Sequence, residues 1–166
     1  MAEAVRRGGD WIACRPGCFE CCFGPFEISS SEALALREGL SHLDPATAQR
    51  VRGRAARYLA SIRSYDEDGL PEGMDEVPCP ALDPSTGLCD LYAARPTTCR
   101  LFGPAVVMPD GAIATCELCF RGASDEEIAA AAVAIAPELL KYDPATATFV
   151  AFALGAASEA AYQVES

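Results

Sequence analysis

Nine cysteines in 166 residues constrain this chain more than any other feature: Cys14, Cys18, Cys21, Cys22, Cys79, Cys89, Cys99, Cys116 and Cys119. Cysteines at this density either staple a fold through disulfides or gather thiolates around metal. The first residues, Met1 to Trp11, lack the apolar run of a secretory leader, so the expected compartment is the cytoplasm, where structural disulfides do not persist. An odd count leaves one thiol over in any complete pairing, and the adjacent Cys21 and Cys22 would be strained as a mutual bridge. Thiolate ligation to metal is therefore the expected use, the nine covering two four-thiolate sites with one to spare, or one cluster with several left over.

The spacings carry the same expectation. Cys14, Cys18, Cys21 and Cys22 follow at gaps of three, two and no residues, and Cys116-Glu117-Leu118-Cys119 repeats the two-residue gap. A Cys-x-x-Cys knuckle points two sulfurs at one ion, and Gly17 and Gly24 supply the backbone freedom such turns need. Cys79, Cys89 and Cys99 are each separated by nine residues, and the turn signal Asp83-Pro84-Ser85-Thr86-Gly87 predicts that Cys89 folds back beside Cys79. Cys21 and Cys22 either face two metal centres, or one ligates while the other packs as a small apolar residue. A binuclear or cluster-type site is the expectation, with a lone mononuclear zinc as the plainer alternative.

These motifs, taken together, resemble a known family. Cys14-x3-Cys18-x2-Cys21-Cys22, then Cys79-Pro80-x-Leu82, then Cys89-x-Leu91-Tyr92-x-x-Arg95-Pro96-x-x-Cys99-Arg100-x-Phe102, and finally Cys116, is similar to the YkgJ-type cysteine-cluster family of zinc- or iron-chelating domains. The resemblance spans residues 14 to 119. It implies metal chelation without fixing the metal or a reaction. Two departures stand out: the first gap holds three residues where the family has two, and Cys119 is additional to the family's eight cysteines. A related cysteine block occurs in flagellin lysine methylases, but no second region here is assignable to methyl transfer.

Charge removes another class of function. Thirteen basic and 24 acidic residues give a formal charge of −11, which repels phosphate backbones, so nucleic acid is not an expected partner. The Arg50, Arg52, Arg54 and Arg57 series reads as a solvated helix face. No apolar stretch approaches the ~20 residues of a membrane span, so no membrane association is expected. Sulfur-only ligation suits zinc, iron or an iron–sulfur cluster alike.

The Arg95-Pro96-Thr97-Thr98-Cys99-Arg100 element predicts a short helix opened by Pro96 and capped by Thr97 or Thr98, with Cys99 in the first turn, where the helix dipole favours a thiolate. Arg95 and Arg100 flank Cys99 and either donate hydrogen bonds to sulfur or stand as two surface arginines.

The fold expected is mainly α with a small β-hairpin, an irregular α+β domain stapled by metal. Residues 1–13 read as a loosely held lead-in with Trp11 and Ile12 docked on the domain, 14–155 as the chelating domain and 156–166 as a tail that forms a short helix. Helices are predicted from Ser30 or Ser31 to Leu40, with Leu34, Leu36 and Leu40 for burial, from Asp44-Pro45 to about Ser64, and from the Ser124–Glu127 capping box to about Lys141, kinked at Pro137. The stretch 65–77 reads as an acidic linker, the alternative being a cation site. Pro109-Asp110-Gly111 predicts a hairpin that returns Cys116 to the other cysteines. Thr148–Leu154 reads as a strand, with a buried helix as the alternative.

No catalytic motif is present: there is no His-Glu-x-x-His, phosphate loop, nucleophile elbow or dinucleotide fingerprint. His42, the only histidine, reads as a loop or helix-end residue, and Glu20 and Glu117 as solvent-facing turn residues, with oxygen ligands or bases as their alternative. The expected function is metal binding in a handling, sensing or structural role. The alternative is an iron–sulfur redox or protein-modifying enzyme.

Overall fold

A computed structural model of the chain describes residues 2–67, 69–140 and 144–155. The first segment departs from the expected loose lead-in. Residues Ala2–Gly8 form helix α1, in which Glu3 pairs with Arg6 and Arg7 at helical spacing. Ala4 and Gly8 are buried, and Arg7 reaches across to donate to the carbonyl of Ala132. Trp11 stacks against Phe120, with ring centroids 6.5 Å apart, and Ile12 packs beside it, as the sequence predicts.

After the first cysteine segment, strand β1 (Glu27–Ile28) leads into α2 (Ser30–Ser41), whose capping box runs between Ser29 and Glu32. Leu36 and Leu40 face the core together with Ala33, while Leu34 points outward: the three- and four-residue steps of Ala33, Leu36 and Leu40 set the buried face. Helix α3 (Pro45–Ser61) is opened by Asp44, whose carboxylate accepts from the amides of Ala46 and Thr47. Ala48, Val51, Ala55 and Tyr58 form its buried face.

The predicted turn at residues 83–87 closes a hairpin of β2 (Leu82–Asp83) and β3 (Leu88–Cys89), pairing Leu82 with Cys89. Helix α4 (Thr97–Leu101) follows. A second hairpin joins β4 (Val106–Val107) to β5 (Ile113–Ala114).

Two expectations about the last third are overturned. Helix α5 (Asp125–Ala131) stops well before Lys141, and residues 133–134 form β6 (Val133–Ala134), parallel to β4. The Val133 amide donates to the Ala105 carbonyl, so sheet pairing outcompetes helix continuation at a β-branched residue. The run at 148–154 is neither all strand nor all helix. It divides into β7 (Thr148–Phe149), paired with β1, and α6 (Val150–Gly155). Four of the six α6 residues are buried against α2 and α3, which is why the run shows no amphipathic period. The predicted short helix in 156–166 lies outside the described residues.

The fold is mainly α with small β pieces. It has two principal cores. One is built by α2, α3 and α6 around Leu36, Val51 and Leu154, and it incorporates Cys79. The other centres on Ala105, Phe120 and Ala131 and incorporates Cys119.

Candidate metal centre

The cysteine-bearing segments lie between the two cores. Gly17 and Gly24 adopt φ of +85° and +113°, conformations open to glycine, and the turns they make display Cys18, Cys21 and Cys22. The second segment docks on the first through the Cys79 amide, which donates to the Cys22 carbonyl at 2.7 Å. The hairpin then returns Cys89 beside Cys79, as predicted. Arg54 anchors this loop from α3: it donates to the Pro80 carbonyl at 2.7 Å and forms a largely buried ion pair with Asp90. Of the four arginines expected on a solvated face, Arg54 is therefore an interior tether.

Eight of the nine cysteines line one cavity of about 560 Å³: Cys14, Cys18, Cys21, Cys22, Cys79, Cys89, Cys99 and Cys116. Cys119 is buried in the second core behind it. All nine are free thiols. Among the described residues, no three histidine, cysteine, aspartate or glutamate side chains stand close enough to hold one ion as they are placed. The strongest electrostatic couplings between thiols are instead pairwise: Cys14 with Cys119, and Cys21 with Cys22.

Electrostatics separates the members of these groups. In the adjacent pair, the hydrogen bond from Cys22 lowers Cys21 well below an ordinary thiol, and the same bond raises Cys22. Burial pushes Cys79 up to about 11 and Cys99 up to about 12. Cys14 is also raised to about 12, by partial burial first and then by Cys119. Cys99 does sit in the first turn of α4, but the expected dipole effect loses there to burial and to the neighbouring thiols Cys79, Cys89 and Cys21. In a five-residue helix little dipole is available to compete.

The cap of α4 also differs from expectation. Neither threonine side chain caps it. Glu32 does so from α2, accepting from the Thr97 amide at 2.7 Å with one oxygen and from the Ser29 amide at 3.0 Å with the other. The sequence signal was the Ser29–Glu32 capping box, which accounts for only one of the two carboxylate oxygens.

Arg95 and Arg100 both line the cavity but differ in what they do. Arg100 spends its guanidinium on backbone, donating to the carbonyls of Arg95 and Ala93. Arg95 lies over the Tyr92 ring, 3.8 Å from its centroid, and its charge favours the thiolate forms of Cys21, Cys89 and Cys99. Among the described residues, its Nε is the one buried side-chain nitrogen or oxygen with no hydrogen-bond partner. A cationic donor left without a partner at a wall of thiols fits a site built to carry negative sulfur. His42 is exposed at the end of α2, and Glu20 and Glu117 are exposed in their turns, so sulfur is the donor chemistry of the cavity.

A family model described as "CxxCxxCC: Putative zinc- or iron-chelating domain" matches residues 13–130, a stretch that contains all nine cysteines. The chain belongs to that family. No curated protein and no solved structure matches it. In this CxxCxxCC domain the named motif begins at Cys14 with the wider three-residue gap, and the fold continues beyond residue 130, where β7 and α6 complete the first core. Among the described residues, no helix is long and apolar enough to cross a membrane.

Proposed function

We propose that the protein binds zinc or iron through the cysteine thiolates of this cavity, with Cys14, Cys18, Cys21, Cys22, Cys79, Cys89, Cys99, Cys116 and Cys119 as the donor pool and Arg95 beside it. The observation that carries this reading is that eight thiols from four separated segments of the chain line one cavity. Thiols so distant in sequence come together only in the folded state, so metal affinity and folding stability are one linked quantity. The bound metal would supply a sulfur-ligated staple between the two cores, and the chain's own residues hold the donors in place: Arg54 tethers the 79–90 loop, Glu32 fixes α4, and the 17–24 turns orient the first segment. The role that follows is metal handling, sensing or structural stapling in a reducing compartment such as the cytoplasm, carried by a domain of residues 14–155.

Elemental analysis of anaerobically purified protein, together with its visible spectrum, tests the reading. Stoichiometric zinc in colourless protein, or iron in coloured protein, is expected. Protein that is purified free of both metals and takes up neither on titration contradicts it. A brown sample that bleaches in air selects the iron–sulfur form, the case in which a redox role follows.

A further inference from the structure

The thiols fall into two groups, and the grouping follows the two cores. Cys116 and Cys119 belong to the second core. Cys14 is tied to them through Gly103: the Gly103 carbonyl accepts from the Cys116 amide at 3.1 Å, and a Cβ on Gly103, whose φ is +116°, would come within 2.6 Å of the Cys14 sulfur. Glycine is thus what admits Cys14 beside the segment that carries Cys116. The thiol groups that act electrostatically on Cys14 are those of Cys119, Cys116 and Cys18. On the other side, Cys22, Cys79 and Cys89 pack on the first core, and the backbone bond from Cys79 to Cys22 and the Leu82–Cys89 pairing lock them together. Cys99 has Cys79, Cys89 and Cys21 as its neighbouring charges. The thiols that act on Cys14, Cys22, Cys79 and Cys99 all lie in the same group as the thiol they act on.

We infer that the cavity holds two separate metal centres: one on Cys14, Cys18, Cys116 and Cys119, and another drawn from Cys21, Cys22, Cys79, Cys89 and Cys99. The inference rests on the metal-binding reading above. The first centre combines a Cys-x-x-x-Cys turn with a Cys-x-x-Cys turn, four thiolates in two knuckles from distant segments, which is the donor arrangement of a closed tetrahedral site. The other has five candidates for four positions. The adjacent Cys21 and Cys22 supply the surplus, one ligating and the other standing next to it in the chain. Arg95 and Arg54 both act on thiols of this five-membered group, so its centre is the better compensated for excess thiolate charge.

The test is zinc titration of the anaerobic, metal-free full chain, read by native mass spectrometry and by mass mapping of alkylated cysteines. Two zinc ions per chain are expected. At one equivalent, singly loaded molecules should be protected at one whole group and remain reactive throughout the other. The double variant Cys116→Ser/Cys119→Ser should bind one zinc, with Cys14 and Cys18 reactive and Cys79, Cys89 and Cys99 protected. Cys79→Ser/Cys89→Ser should do the converse. Protection that spreads evenly over both groups at one equivalent, in the unsubstituted protein, points to a single shared cluster and overturns the partition whether or not the variants fold. A chain that takes up no zinc or iron overturns the metal-binding reading beneath it.

Discussion

Arg95 shows how much a single side chain reports about this cavity. Its guanidinium stacks on Tyr92, its Nε is buried and unpartnered among the described residues, and its charge acts on three thiols. Side chains that support metal ligands from just outside the site are commonly worth 10–100-fold in metal affinity. Arg95→Gln should therefore weaken zinc binding by about 10-fold in competition with a chromogenic chelator, while Arg100→Gln, whose loss falls on two backbone carbonyls, should leave affinity within about twofold. Equal effects of the two substitutions would remove the distinction. At this scale the sequence was partly readable. The cysteines and the two arginines announce themselves by spacing, but nothing in the pattern separates the arginine that faces thiols from the one that caps backbone. The tether Arg54 was equally hidden, because its partner Asp90 lies 36 positions away in the loop it restrains.

Among the elements, α4 is the one whose position depends on a contact absent from its own sequence. Glu32 bridges the Ser29 and Thr97 amides, and these bonds hold its carboxyl below the usual range against the opposing effect of partial burial. Glu32→Gln keeps the shape but weakens both charged bonds. It should cost about 1–2 kcal/mol in denaturant unfolding and speed alkylation of Cys99 in the metal-free chain. Unchanged Cys99 reactivity would show that α4 is held by other contacts. Caps and turns were legible because their chemistry is local: Asp44-Pro45, the Ser124 box and the 83–87 turn all form as read. What failed was element length. Helix α5 yields to β6 because a strand 27 residues earlier offers Val133 a pairing partner, and the 148–154 run divides because its first two residues pair with β1. Both outcomes are set by tertiary neighbours that no local window contains.

At the scale of the molecule, both cores contribute cysteines to one cavity, and the charge state of those thiols couples stability to pH. In the metal-free chain, Cys79 rises from 9.0 to about 11 and Cys99 from 9.0 to about 12, chiefly through burial. A raised folded-state value favours the neutral thiol, so its contribution is complete below about pH 9 and is lost as pH climbs towards 11 and 12. The melting temperature of metal-free protein should accordingly fall between pH 9 and 11. Zinc-loaded protein, whose thiols are already thiolates, should lack that decline. A metal-free chain whose melting temperature stays flat over that range would mean that these thiols are hydrated. The family and the mainly helical class could be read from the chain because cysteine spacing is a local pattern. The two-core arrangement could not, since it depends on which knuckle packs against which distant helix.

The claim on which all of this depends is that sulfur from distant segments meets at metal. X-ray absorption at the metal edge of the protein as purified addresses it most directly. The account predicts a shell of about four sulfur neighbours and no nitrogen or oxygen, at ~2.3 Å if the metal is zinc. A shell dominated by nitrogen or oxygen would contradict it.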